Sequence, residues 1–414
     1  MLPTCDSGPR LRWFTCTPVA FGGGPDFFAR DSGLLCRGFQ ALGIESKAVM
    51  PLPGGEGDEA DLIRTEYANL ESVAWWRSLE LDGVVLYAWG SPRFRKVAAA
   101  IHEAGILLVL NQDNGGLISP LCGPVDWLRE QWILSGQGRG GVAWLRFLRL
   151  VLRGLTLGLV VTDPLRARHL KEGDRIACVS PTAAGHYRRW CNIWGGSELA
   201  SRVRVLPHAV EPSFGFRGAV KMRRVACVGR WSDGVQKRPD LLMAVVAELV
   251  ANDEAVEVVI VGDRTRDLEL WHAGLDEGGR RRVRLAGRLD RGGLADLLAA
   301  SQVFFSPSAF ESFGIAAAEA LCCGCSVVAA KSVSMASFEW FTGEASGSLA
   351  GARDPLLLLR ALRAELAAWE RGERDPAAIA SCWIERLHAD RVAAALLSDL
   401  EVGGESGTAS GARD

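Results

Sequence analysis

The chain has no apolar run approaching the ~20 residues that a bilayer-crossing helix needs, so no membrane span is expected. Its first residues, MLPTCDSGPRLRWF, lack a cationic segment followed by an apolar core, and no secretory signal is expected. An excess of charge is missing as well: a net charge of −2 offers no electrostatic reason to expect a nucleic-acid partner. No internal repeat of solenoid period is present. The eleven cysteines are odd in number and scattered from Cys5 to Cys382. That pattern in a chain of this size reads as reduced thiols in a cytosol rather than a disulfide framework. Cys322-Cys323-Gly324-Cys325 invites a metal reading, but it continues a run of small apolar residues with no His or Cys pair nearby. These thiols are expected to be small core hydrophobes, with no metal bound.

What is present is the composition of an ordinary soluble protein, 48% hydrophobic and 23% charged. At 414 residues, two domains with full-sized cores are expected. The most informative stretch runs from Val303 to Ala330, VFFSPSAFESFGIAAAEALCCGCSVVAA. An apolar run ending at Ser306-Pro307-Ser308 reads as a buried strand emptying into a loop. Ile315 to Cys323 is rich in alanine and free of proline, so it reads as a helix closed by Gly324, and Ser326 to Ala330 returns as a strand. Glu311 then stands at the mouth of a helix, and Glu319 is a lone charge inside it. A helix N-terminus offers free N–H groups and the positive end of a dipole, which suits a diphosphate. Gly314 allows close approach to the backbone, and a carboxylate slightly deeper can accept from both hydroxyls of a ribose.

This PSAFESFGIAAAEALCCGCSVVA segment resembles the E-x7-E signature of retaining glycosyltransferases with the GT-B fold, family 4, also called glycosyl transferases group 1. Ser312 stands where the family usually has Gly, and Ser326 where it has Pro. The resemblance implies two Rossmann-like α/β domains with parallel sheets facing across a cleft. It also implies a last helix crossing back to the first domain. The expected division is 1–211 for the acceptor-side domain, 212–382 for the donor domain, 383–400 for the returning helix and 401–414 for a disordered tail.

Other segments follow from the resemblance. Arg230-Trp231-Ser232-Asp233-Gly234-Val235-Gln236-Lys237 looks like the family's G-R-x-x-x-x-K-G segment, lengthened. Arg230 and Lys237 would then clamp a leaving diphosphate together with the amides at Phe313–Ile315, while Glu311 holds sugar hydroxyls and Glu319 the ribose. Ser312, Phe313, Gly314 and Ile315 would bind donor, as would Gly23 and Gly24, in a loop that closes on the donor phosphates. Family members often carry His at the end of the strand where this chain has Gln112 and Asp113; those two, with His208, are candidates for the acceptor or sugar side. A polar loop explains Gln112 and Asp113 equally well. No Asp-x-Asp spacing occurs, so there is no sign of the metal-dependent GT-A alternative.

The implied activity is transfer of a hexose-type sugar from a UDP- or GDP-sugar to an acceptor hydroxyl with retention, without cofactor, in cell-envelope polysaccharide or glycoconjugate synthesis. The acceptor is a saccharide, a lipid-linked molecule or a small molecule. Two alternatives stand beside it: a nucleotide-sugar 2-epimerase of the same fold and a non-catalytic sugar-nucleotide binder. Between Trp144 and Leu155 an amphipathic pattern sets Trp144, Phe147, Leu148, Val151 and Leu155 on one helical face and Arg146, Arg149 and Arg153 on another. Such a helix either lies on an anionic membrane surface or packs its apolar side on its own domain. A cytoplasmic protein, with peripheral contact to the inner membrane face on the first of these readings, is expected.

Overall fold

The computed structural model describes residues 11–136, 141–343 and 345–408. The expected leader, 1–10, and residues 409–414 of the expected tail lie outside them. The first sheet comprises β1 (Trp13–Cys16), β2 (Ala48–Pro51), β3 (Leu62–Thr65), β4 (Gly83–Tyr87), β5 (Leu107–Gln112), β6 (Arg175–Cys178) and β7 (Val203–Val205). The second comprises β8 (Met222–Gly229), β9 (Glu257–Gly262), β10 (Val283–Gly287), β11 (Ser301–Ser306), β12 (Ser326–Ala330) and β13 (Gly347–Ala350). Every pairing is parallel. Parallel strands need helical crossovers, which cover both faces of a sheet, and this is why β4 and β12 read as unbroken apolar runs and are buried throughout.

The strand orders are β3-β2-β1-β4-β5-β6-β7 and β10-β9-β8-β11-β12-β13. In each sheet the chain winds outward from its first strand and then returns to that strand's other side. The reversals fall between β1 and β4 and between β8 and β11. At such a reversal successive helices go to opposite faces and leave a crevice at the carboxyl ends of the strands, where ligands bind in this architecture.

Three segments differ from expectation. The stretch 62–79, which reads as helical from its sequence, begins with β3, paired to β2 at Ala48 and Leu62, and only then forms short helices at Tyr67–Leu70 and Val73–Ser78. A four-residue edge strand is too short to show its own period, and the helical pattern after it dominates the window. The segment 343–351, whose glycines read as a loop from the sequence, contains the edge strand β13 on β12. The stretch from Pro376 to Leu400, free of Gly and of any further Pro and so read as one helix, is two, Pro376–Leu387 and Ala389–Thr408, and the backbone is helical through 408.

The break at His388 is where the chain crosses between domains. His388 is extended, its Nε2 lies 2.8 Å from the Phe214 carbonyl, and Ala389 donates to the Val210 carbonyl. Trp383, before the break, lies in the core of the second domain, whereas Val392 and Leu396 beyond it lie in the first-domain core with Leu34 and Phe39. Arg175 and Arg204 of the first domain clasp Asp399. Helix Asp31–Ala41 receives the returning helix at Gly38, where a Cβ would stand 2.2 Å from the Ala389 carbonyl oxygen.

Candidate active site

A cavity of 370 Å³ opens at the β8/β11 reversal, and one of 560 Å³ at the β1/β4 reversal. The first is lined by Arg230, Lys237, Glu311, Ser312, Gly314 and Ile315 among others. The second is lined by Thr17, Phe21, Gly22, Tyr87 and Trp89. Arg30 and Asp31 line both, so the two cavities adjoin across the domain boundary.

The floor of the first cavity is the N-terminus of helix Ile315–Cys322. Gly314 precedes it with φ +89°. Only glycine takes that conformation without cost, and a Cβ there would also meet the Phe338 ring at 2.8 Å. Ala317 and Ala318 donate to the Gly314 carbonyl, while the amides of Gly314, Ile315 and Ala316 make no hydrogen bond among the described residues. These are the orphan donors of a helix start, facing a cavity.

Glu311 is held from the β8 side. Lys237 forms an ion pair with its Oε1, and Gln236 donates to its Oε2 at 3.3 Å and to the Phe310 carbonyl at 3.1 Å. Gln236 also accepts from Arg230 at 3.4 Å, so one amide side chain links the whole cluster. The next residue, Arg238, has φ +51°, a left-handed conformation unusual for a residue before proline. Asp31 (φ +52°) and Trp89 (φ +50°), both lining cavity walls, are likewise non-glycine residues in this region. Such outliers persist where surrounding structure over-determines them, which is characteristic of ligand sites.

On the first-domain side, His208 and Asp113 meet at 2.8 Å, and Asp113 accepts from Ser312 of the second domain at 3.1 Å. Burial alone would lower the His208 pKa, but the Asp113 carboxylate and the Asp31 carboxylate at 3.7 Å outweigh it and raise it to about 9. Burial would raise Asp113; His208 and Ser312 hold it below the ordinary carboxylate range instead. The pair is therefore ionised at neutral pH. Phe313 sets its ring edge against His208, with centroids 5.4 Å apart.

Several expected residues stand elsewhere. Glu319 is only 4% exposed and does not line the cavity; Arg291 binds it at 3.0 Å and reaches Glu211 at 2.7 Å with its other side. Burial pushes Glu319 up to about 7 even with Arg291 beside it. Gln112 ends β5 with its side chain buried, where it accepts from the Tyr187 hydroxyl. Gly23 donates to Asp58 at 3.0 Å and Gly24 packs near the Gly57 carbonyl; within that loop it is Gly22 that lines a cavity. Of three residues that the sequence reading assigned no role, Gln236 and Arg30 line the cavity and Arg291 binds Glu319 beneath it. The Arg30 guanidinium makes no hydrogen bond or ion pair among the described residues. Its one sequence signal is its place just after the glycine loop and the short helix Pro25–Phe28. The thiols of the Cys322–Cys325 segment are buried, with Cys325 donating to the Leu298 carbonyl.

The model of the family described as "Glycosyl transferases group 1" matches residues 222–367, the span of the second sheet and its helices. The fold is GT-B, and the family match falls on its second domain. The gpi3 subunit of phosphatidylinositol N-acetylglucosaminyltransferase from Schizosaccharomyces pombe is 25% identical over 183 residues, 42% of this chain. The match spans about two fifths (38%) of that relative's length. Over whole chains, the structure of Anabaena HepE in complex with UDP and glucose superposes with a TM-score of 0.55, at 15% identity, covering 94% of this chain and all of the other. The lipopolysaccharide outer core galactosyltransferase WaaB, in its apo form, gives 0.61 at 14% identity, covering 95% of this chain and 100% of its own. The GT-B cleft is thus the space that the two cavities occupy, with Glu311 and the group 1 helix on its second-domain wall.

Proposed function

We propose that this chain is a retaining glycosyltransferase that moves a hexose-type sugar from a UDP- or GDP-sugar to an acceptor hydroxyl, in glycoconjugate or envelope polysaccharide synthesis. The observation that carries the reading is the convergence of Arg230, Lys237 and Glu311 on the unpaired amides of helix Ile315–Cys322. A UDP complex in the HepE neighbour supports a nucleotide-sugar donor.

The difficult step is loss of a nucleoside diphosphate from a carbon acquiring oxocarbenium character. The amides of Gly314–Ala316, Arg230 and Lys237 stabilise the negative charge that grows on the leaving phosphate, and the amides are already oriented before reaction. Lys237, paired with Glu311 when the donor is absent, turns to the phosphate; Glu311 then accepts from the sugar hydroxyls. The bond from the anomeric carbon to the phosphate oxygen breaks as the acceptor oxygen bonds on the same face, and the acceptor proton passes to the departing phosphate. Glu319 receives the ribose hydroxyls once these displace Arg291, whose side chain is 34% exposed and keeps its second partner, Glu211. No metal is required in this scheme.

The test is a transfer assay over a panel of UDP- and GDP-sugars with saccharide, lipid-linked and small-molecule acceptors, with the product anomer read by NMR. An α-linked product from an α-donor, formed equally in EDTA, is expected. An inverted product, loss of activity on chelation, or epimerised donor formed without acceptor would overturn the assignment.

A further inference from the structure

We propose that the helical ridge from Gly141 to Val161 seats this protein on an anionic lipid surface. The inference is independent of the donor site. The helix Gly141–Arg153 continues without a break into a wider, π-type segment, Gly154–Thr162. Its inner side is anchored: Ala143 is buried, Val151 packs on the first-domain core, and Trp132 packs against Trp144 and Phe147 with ring centroids 5.2 and 5.5 Å away. The outer side is apolar and open to solvent. Leu145, Leu152 and Val160 are 68%, 64% and 74% exposed, and Trp144, Leu148 and Leu157 are more than half exposed.

At 100° per residue, Leu145, Leu148 and Leu152 form one stripe, and Arg146, Arg149 and Arg153 form the adjoining one. All three arginines are exposed, and none has an ion-pair partner among the described residues. Contiguous exposed apolar surface of this extent marks an interaction site. The leucine spacing would also suit a second helix, but the charges decide against a second copy. Between Gly141 and Thr162 there are three arginines and no Asp or Glu, so self-pairing sets like charges together. A bilayer with anionic headgroups supplies what is missing, acyl chains for the leucines and phosphates for the arginines. No helix among the described residues is long and apolar enough to cross a membrane, so the ridge lies on the surface. Trp132 joins it to a cavity of 880 Å³ between helices Pro124–Leu134 and Pro181–Ser201 and the segment 331–339, which places an interdomain opening next to the lipid-facing side.

The experiment is sedimentation of the full chain with vesicles of phosphatidylcholine alone or with 30% phosphatidylglycerol, at low and high salt. Binding to the anionic vesicles that weakens with salt is expected. Each arginine near such a surface is worth about fivefold in affinity, so Arg146→Gln/Arg153→Gln should lose roughly thirtyfold. Leu145→Ser/Leu152→Ser should also lose binding with an unchanged Tm, because both side chains are already in solvent. Absence of binding at low salt, or binding unaffected by both double variants, would overturn the proposal. So would a concentration-dependent dimer that Leu145→Ser/Leu152→Ser dissolves, since the ridge would then be a self-association face.

Discussion

Glu311 and Glu319 share one motif yet stand in different surroundings, so the same substitution should read differently at each. Glu311 faces the cavity beside the free amides, and Glu319 lies beneath Arg291. Glu311→Gln removes charge next to the carbon that becomes positive, so kcat should fall at saturating donor. Glu319→Gln weakens a contact to a part of the donor that does not change during reaction, so the donor KM should rise with little change in kcat. A charged hydrogen bond is worth about 1.5–3 kcal/mol, which sets both effects on the order of tenfold to a hundredfold. Because burial raises Glu319 to about 7, it gains a proton as pH falls from 8 to 6 and becomes a poorer acceptor. Wild-type KM should therefore climb over that range while Glu319→Gln stays flat. Steady-state kinetics at three pH values decides this, and identical profiles would remove the ribose role. At this scale the sequence was legible where spacing carried the signal: Glu311, Gly314, Arg230 and Lys237, singled out from their motifs, line one cavity. It was silent on Gln236 and Arg291, which bind Glu311 and Glu211 from segments distant in the chain, and on Arg30, which the fold sets on the wall shared by the two cavities.

Elements were legible in proportion to their length and burial. Strands buried on both faces and the long helices announced themselves, whereas the edge strands β3 and β13 are four residues each and were submerged in neighbouring patterns. The break at His388 also left no local sign, because it exists to let the chain cross between domains. That crossing depends on one absent side chain. Helix Asp31–Ala41 meets Ala389 at Gly38, and a Cβ there would press on backbone that has no rotamer with which to yield. In an isolated helix Gly→Ala is stabilising by about 1 kcal/mol. Here the steric conflict should reverse the sign and cost about 1–3 kcal/mol. Gly38→Ala is expected to lower Tm by a few degrees in differential scanning fluorimetry. An unchanged or raised Tm would mean that the returning helix shifts freely.

For the whole molecule, the two domains meet at the donor loop, where Ser312 bonds Asp113 and Phe313 lies against His208. The ion pair under that contact links overall stability to pH. The folded-state pKa of His208, about 9, is above its unfolded value of ~6.5, so the folded protein holds this proton more tightly. Its contribution is complete below about pH 6.5 and is lost as pH rises toward 9. Asp113 is lowered instead, so its contribution is present above the ordinary carboxylate range and is lost only in acid. Between those limits the pair is whole, and across the alkaline side it should surrender on the order of 2–3 kcal/mol. The buried Tyr87 hydroxyl, raised by burial and by Asp31 and Asp113, stays neutral across that window, so His208 is the group of this contact that changes. Tm of the wild type should fall between pH 6.5 and 9, whereas His208→Asn, lower at the start, should give a nearly level profile. Parallel slopes for the two proteins would show that the alkaline loss originates elsewhere, and that the histidine under the donor loop is a neutral packing residue.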